Sequence, residues 1–286
     1  MHKMKKALIV LIIVLVAGCA TNRPAVSLWK TLPDAPPMPS ADESGLAPVN
    51  DIKLYYAVFN KEGKDPVILL HGGLVNSNYW GFEVPLLSKT HKVIVVDSRG
   101  HGRSTMSDQP FSYNLMASDV LQLMNYLKIK KASIVGWSDG GIIGLILAIN
   151  NPERIDRLFT FGTNFNHSGD KSEPGDPVAG ARFMAKVQAD YNKLSSTPDG
   201  FLKLRSALGK MYSSEPNLNP EEIKTIKAPT VIAGGQYEQF IKREHFDELA
   251  HLIPNAKLVI LPNVSHGGPL QDPVHFHRAV MNLLGK

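Results

Sequence analysis

The run Lys131-Ala132-Ser133-Ile134-Val135 leads straight into Gly136-Trp137-Ser138-Asp139-Gly140-Gly141, and residues 142–149 are almost wholly aliphatic. The first run reads as a buried strand and the last as a buried helix, so the chain must turn sharply at Ser138. A turn this tight forces the serine backbone into a strained region. It also crowds the positions two places to either side, where any Cβ would clash. Gly136 and Gly140 occupy those positions. The Ser138 hydroxyl is left over the carboxyl end of a sheet, near the positive end of a helix. That is the placement of a nucleophile for acyl transfer.

A serine used this way needs a base to take its proton and a carboxylate to orient that base. In a strand-turn-helix setting the chain order is nucleophile, acid, histidine. His266 lies in Leu261-Pro262-Asn263-Val264-Ser265-His266-Gly267-Gly268, a loop after the last strand-like run. His2 falls in the leader, His245, His251, His275 and His277 in helical patterns, and His71, His91, His101 and His167 before the place the order requires. The acid is expected after the preceding strand, and Glu238 is the first carboxylate met beyond Thr230-Val231-Ile232-Ala233-Gly234-Gly235. Asp247, inside a helix, and Asp170 or Asp176, from across an insertion, are weaker substitutes. Two backbone N–H groups are expected to meet charge developing on a carbonyl oxygen, those of Asp139 and of Gly73 in His71-Gly72-Gly73-Leu74. His71 is read as a brace for that loop.

Strand-like runs recur at 52–59, 66–70, 92–96, 132–137, 155–161, 230–233 and 257–261, and helical patterns at 115–127, 242–252 and 273–284. This alternation predicts an α/β fold with a doubly wound, mostly parallel sheet. Between residues 164 and 227 the regularity breaks into polar loops and helical stretches at 178–194 and 200–212. That interval is too long for a plain connection and is read as a helical cap inserted into a core formed by 49–163 and 228–286.

With 43% hydrophobic and 20% charged residues, 286 residues suffice for one large core with a subdomain. The net charge of +5 owes much to Lys3, Lys5 and Lys6; beyond residue 18 the chain has 28 Lys and Arg against 26 Asp and Glu. No basic stripe with interleaved aromatics exists, so nucleic acid is not an expected partner. After a positive patch at 2–6, residues 7–17 are unbroken apolar sequence, shorter than a bilayer span and matched to a signal-peptide core. The run ends at Val16-Ala17-Gly18-Cys19, which resembles the lipobox of bacterial lipoproteins. The resemblance implies a signal peptide over 1–18, acylation of Cys19, membrane lipid as a partner, and a place in the cell envelope on the periplasmic or outer-membrane side. Cys19 is the only cysteine, so an internal disulfide cannot form. Residues 19–48 contain Pro24, Pro33, Pro36, Pro37, Pro39 and Pro48 and are read as a tether. Trp29 within it either docks on the body or does nothing.

Together, His71-Gly72-Gly73, Asp97-Ser98-Arg99-Gly100-His101-Gly102-Arg103-Ser104, the elbow at 136–141, Gly235 to Glu238 and Val264-Ser265-His266 resemble the α/β-hydrolase fold family. The resemblance runs from Ile52 nearly to the end, apart from the cap. It implies that the 97–104 segment is mainly structural, with Arg99 in an ion pair. Glu238 departs from the aspartate that most members carry. The Gly-Trp-Ser-Asp-Gly-Gly elbow is similar to that of the valacyclovir hydrolase, or biphenyl-hydrolase-like, branch. That likeness implies that Asp139 holds the ammonium of an α-amino ester; the alternative is that Asp139 only favours the helix terminus electrostatically. The expected activity is hydrolysis of small carboxylic esters by a serine esterase, with no cofactor and no metal. A peptidase or amidase with the same triad and a non-catalytic envelope binding protein are the other readings. The sequence does not give the oligomeric state.

Overall fold

The computed structural model describes residues 27–172 and 176–285. The leader and Cys19 lie outside the described residues. The strands are β1 (Glu43–Val49), β2 (Ile52–Phe59), β3 (Pro66–Leu70), β4 (Lys92–Val96), β5 (Ala132–Trp137), β6 (Ile155–Phe161), β7 (Thr230–Gly235) and β8 (Ala256–Leu261). They form one sheet in the order β1-β2-β4-β3-β5-β6-β7-β8. β1 pairs with β2 and β2 with β4 antiparallel, and every other pairing is parallel. The helices are α1 (Val84–Leu87), α2 (Tyr113–Tyr126), α3 (Asp139–Asn150), α4 (Pro177–Leu194), α5 (Phe201–Tyr212), α6 (Pro220–Ile223), α7 (Arg243–Leu252), α8 (Gly268–Gln271) and α9 (Pro273–Leu284).

Continuous Val, Ile and Leu runs in β3 and β4 are buried on both faces, as parallel strands under helices must be. Alternation along β6 shows the two layers. Leu158 meets the α3 side, where a Cβ on Gly144 would press on it, while Phe159 and Phe161 pack edge-on against Phe276 of α9. α2 is fixed at its start by Ser112, whose side chain accepts from the Leu115 N–H. Parallel register brings the carboxyl ends together: Leu70 opposes Gly136, Trp137 opposes Phe161, and Phe161 opposes Ala233. The segments beginning at His71, Ser138, Gly162, Gln236 and Pro262 therefore open on one rim.

α4, α5 and α6 are inserted between β6 and β7. α5 buries Phe201, Leu204, Leu208 and Met211 on one stripe. It lies against the core, since a Cβ on Gly100 would come within 3.2 Å of Leu204, and its last residue, Tyr212, bonds Asp139. No helix among the described residues is long and apolar enough to cross a membrane.

The tether expected over 19–48 requires correction. Its end is the edge strand β1, where Ala47 and Val49 are buried and Val49 opposes Ile52 across a two-residue turn. Asn50 and Asp51 both take positive φ there, the geometry of a tight hairpin. The core thus starts at Glu43, not at residue 49. Ahead of β1 the chain lies on the body: Trp29 stacks on Tyr237, and the Asp34 carboxylate meets the Lys186 amine at 2.8 Å.

Candidate active site

Ser138 sits between β5 and α3 with φ 54° and ψ −119°, a conformation in which non-glycine residues are strained. Hydrogen bonds hold it there: its N–H donates to the Phe161 carbonyl at 2.8 Å, and its own carbonyl accepts from Gly141 N–H at 2.8 Å. A Cβ on Gly136 would overlap the Gly140 carbonyl, and one on Gly140 would overlap that of Leu70. From 132 to 148, Ser138 alone is not buried. The elbow is packed everywhere except at Ser138.

His266 and Glu238 meet on the same rim. The imidazole Nδ1 donates to Glu238 Oε1 at 2.9 Å, with side chains 13% and 4% exposed. The same Oε1 accepts from the N–H groups of Gln239 at 2.8 Å and Phe240 at 3.0 Å. Burial pushes the Glu238 carboxyl up, but the His266 charge and these hydrogen bonds outweigh it and leave the group below the usual carboxylate range. Trp137, next to the serine, donates its indole N–H to the His266 carbonyl at 2.8 Å. Phe240 stands edge-on to the imidazole, with ring centroids 4.8 Å apart. Gly162, at φ +63°, clears the back of the pair: a Cβ there would lie 2.8 Å from the imidazole. The alternative acids are engaged elsewhere. Asp247 faces Arg243, Asp170 holds His167 and Asn164, and Asp176 caps α4.

The loop after β3 is braced by two buried histidines. His71 Nε2 accepts from the Ser98 N–H at 3.0 Å and His101 Nε2 accepts from the Leu74 N–H at 3.1 Å. Their other nitrogens face the carbonyls of Gly72 and Arg99. Burial lowers the pKa of both, that of His101 to about 3, so each is a neutral acceptor. The bracing puts Gly72 beside Ser138, with a Cβ on Gly72 falling 3.1 Å from that of the serine. No carbonyl among the described residues accepts from Gly73 N–H. Asp139, first in its helix, has no intrahelical acceptor for its own N–H. Arg99 is fully buried and bonds Asp119 through two nitrogens, at 2.6 and 2.7 Å, fixing the 97–104 segment.

The Asp139 side chain does not stand open to the pocket. It is buried; Oδ1 accepts the Tyr113 hydroxyl at 2.9 Å and Oδ2 accepts that of Tyr212 at 2.6 Å. Burial raises its pKa against the opposing pull of these two hydrogen bonds. Sequence reasoning passed over both tyrosines, and also Gly162, whose signal is a glycine closing the run Phe159-Thr160-Phe161. Among the described residues no three His, Cys, Asp or Glu side chains gather as a metal site requires.

A sequence model of the alpha/beta hydrolase fold family matches residues 65–202. The serine hydrolase BPHL of Mus musculus is 27% identical, with 93% of this chain and 99% of that protein covered. The sn-1-specific diacylglycerol lipase ABHD11 of Danio rerio is 26% identical, over 85% of this chain and 86% of its own. A meta-cleavage product hydrolase from Pseudomonas fluorescens IP01 superposes with a TM-score of 0.71 at 22% identity, covering 85% of this chain and 97% of that one, a likeness of fold. With that fold and relatives that span most of its length, the chain is a serine-esterase type of carboxylic-ester hydrolase with the α/β-hydrolase fold.

Proposed function

We propose that this hydrolase cleaves small carboxylic esters through an acyl-enzyme formed on Ser138. His266 takes the Ser138 proton as the oxygen attacks the ester carbonyl, and the backbone N–H groups of Gly73 and Asp139 receive the oxyanion. The tetrahedral intermediate expels the alcohol, which leaves with the proton from His266. Water, deprotonated by the same imidazole, then attacks the acyl carbon and frees the carboxylic acid and Ser138. Glu238 holds the imidazole in the required tautomer throughout. The observation that carries this reading is the 2.9 Å contact between His266 Nδ1 and Glu238 Oε1 on the rim where the elbow presents Ser138. Covalent labelling by a fluorophosphonate, lost in Ser138→Ala, tests it; an intact protein that never takes the label overturns it.

For Asp139 the reading is a tie between elbow and cap rather than an ammonium site, because each carboxylate oxygen already accepts a tyrosyl hydroxyl. An ester panel varied in acyl length and in the presence of an α-amine tests that assignment.

Lipid anchoring through Cys19 is part of the same proposal, supported by the apolar run at 7–17 and the Gly18-Cys19 junction. Because the chain joins the body near Trp29, the nine residues from Cys19 to Ser27 allow a reach of at most about 30 Å. The site would then work close to the membrane surface. Labelling with a palmitate analogue, abolished by Cys19→Ser, tests the anchor.

A further inference from the structure

The segment ahead of β1 reaches both loops that carry the acid–base pair, directly at the residue before Glu238 and through Gln271 at the residue before His266. Trp29, in the single turn Leu28–Lys30, stacks on Tyr237 with ring centroids 4.8 Å apart and planes 22° from parallel. Tyr237 immediately precedes Glu238. Two residues on from Trp29, the Thr31 carbonyl accepts from Gln271 Nε2 at 2.8 Å. The same amide nitrogen donates to Ser265 Oγ at 3.0 Å, while Gln271 Oε1 accepts from the Ser265 N–H at 2.7 Å. Ser265 immediately precedes His266. Ser265 and Gln271 are buried, so this amide is locked by its partners rather than by water.

The segment then crosses to the cap. Asp34 meets Lys186 of α4 at 2.8 Å, and the same amine contacts Asp190 at 3.2 Å. Asp190 in turn accepts the Tyr79 hydroxyl at 2.8 Å. Pro36 seals the return to the core, its carbonyl filling the space that a Cβ on Gly81 would need.

We propose that residues 28–36 form a strap that sets the geometry of the Glu238–His266 pair, with Trp29 and Gln271 as positioning residues. Neither touches the reacting atoms. Trp29 fixes the acid loop from outside, and Gln271 transmits the strap's backbone to the histidine loop. A pair that must be held within a fraction of an ångström loses turnover steeply when either loop drifts. The proposal rests on Glu238 and His266 being the acid and base of the mechanism above.

The test uses the full chain and a p-nitrophenyl ester, comparing Trp29→Ala, Trp29→Phe and Gln271→Leu with the parent. Trp29→Ala and Gln271→Leu are each expected to lower kcat by roughly 5- to 100-fold with KM within about twofold. Trp29→Phe, which keeps a stacking ring, is expected to restore most of kcat. Unchanged kcat in Trp29→Ala overturns the proposal, as does a loss that Trp29→Phe fails to rescue or one that merely follows the folded fraction measured by circular dichroism. Phosphonate labelling of Ser138→Ala is run alongside. Label retained in that variant removes the triad reading itself, whereas label lost in Ser138→Ala alongside full activity in Trp29→Ala removes only the strap.

Discussion

Tyr212 donates its hydroxyl to Asp139 Oδ2 at 2.6 Å, so the last residue of α5 in the cap is bonded to the residue that follows Ser138. Tyr113 of α2 holds the other oxygen, and burial together with the Asp139 charge keeps both phenols protonated far above the usual range. Removing one donor leaves a buried carboxylate short of a partner, which costs about 1.5–3 kcal/mol. Tyr212→Phe is therefore expected to lower Tm by several degrees, measurable by calorimetry. Asp139→Asn is expected to reduce kcat/KM for α-amino esters and for their des-amino analogues by the same factor. A loss more than about tenfold greater for the amino esters would assign the carboxylate to substrate instead.

The elbow permits no side chain at its two flanking glycines. A Cβ on Gly136 or on Gly140 would run into backbone carbonyls rather than into flexible side-chain ends. The Leu70 carbonyl cannot withdraw without disturbing the β3–β5 register at Leu70 and Gly136, and the Gly140 carbonyl is held in the first turn of α3. Gly136→Ala and Gly140→Ala are each expected to lose phosphonate labelling and to cost at least about 1–3 kcal/mol in urea unfolding. Gly180→Ala, on an α4 position with open space around it, is the matched control and should be neutral or better.

The elbow was legible because three local demands coincide within about twenty residues: an apolar strand, two small neighbours and an apolar helix. Chain order then picked His266 and Glu238 from many candidates. β1 was not legible, since Gly45 weakens a strand pattern, Pro48 suits only an edge strand, and the prolines from Pro24 to Pro48 carry the pattern of a tether. The one local clue was Asn50-Asp51, two residues suited to a positive-φ turn. The Asp139 cluster was out of reach for a different reason. Tyr113 lies 26 residues before that carboxylate and Tyr212 lies 73 after it, so only the folded cap brings them together. Trp29 shows the same limit, because nothing near it in sequence announces Tyr237.

Acid should destabilise this fold well before its carboxylates dominate. His71, His101 and His245 are buried with pKa values pushed below the ordinary 6.5, His101 to about 3 and His245 to about 4. The unfolded chain takes up these protons from about pH 6.5 downward while the folded one refuses them, so stability falls as pH drops through that window. Glu238, with its pKa depressed in the fold, adds a further loss below its ordinary 4.5. Chemical denaturation at pH 7.5, 6 and 4.5 is expected to show a steady decline in midpoint, and His245→Phe should flatten part of it. A midpoint unchanged between pH 7.5 and 4.5 would contradict the neutral, acceptor role of these imidazoles.

Glu238 offers a way to separate orientation from charge. Its Oε1 accepts from His266, Gln239 and Phe240, while Oε2 is buried without a hydrogen-bond partner among the described residues. In Glu238→Gln the carbonyl oxygen can keep all three contacts and place the amide nitrogen where Oε2 stood. Orientation then survives and only the negative charge is lost. A charge-assisted hydrogen bond exceeds a neutral one by about 1–2 kcal/mol, or roughly 5- to 30-fold in rate. Glu238→Gln is accordingly expected to reduce kcat by about that factor. Glu238→Leu, which removes the acceptor and frees the imidazole, should reduce it roughly a thousandfold or more. Equal losses in the two variants, measured by ester turnover on folded protein, would mean that charge alone carries the contribution of Glu238 and that its three-donor geometry is incidental.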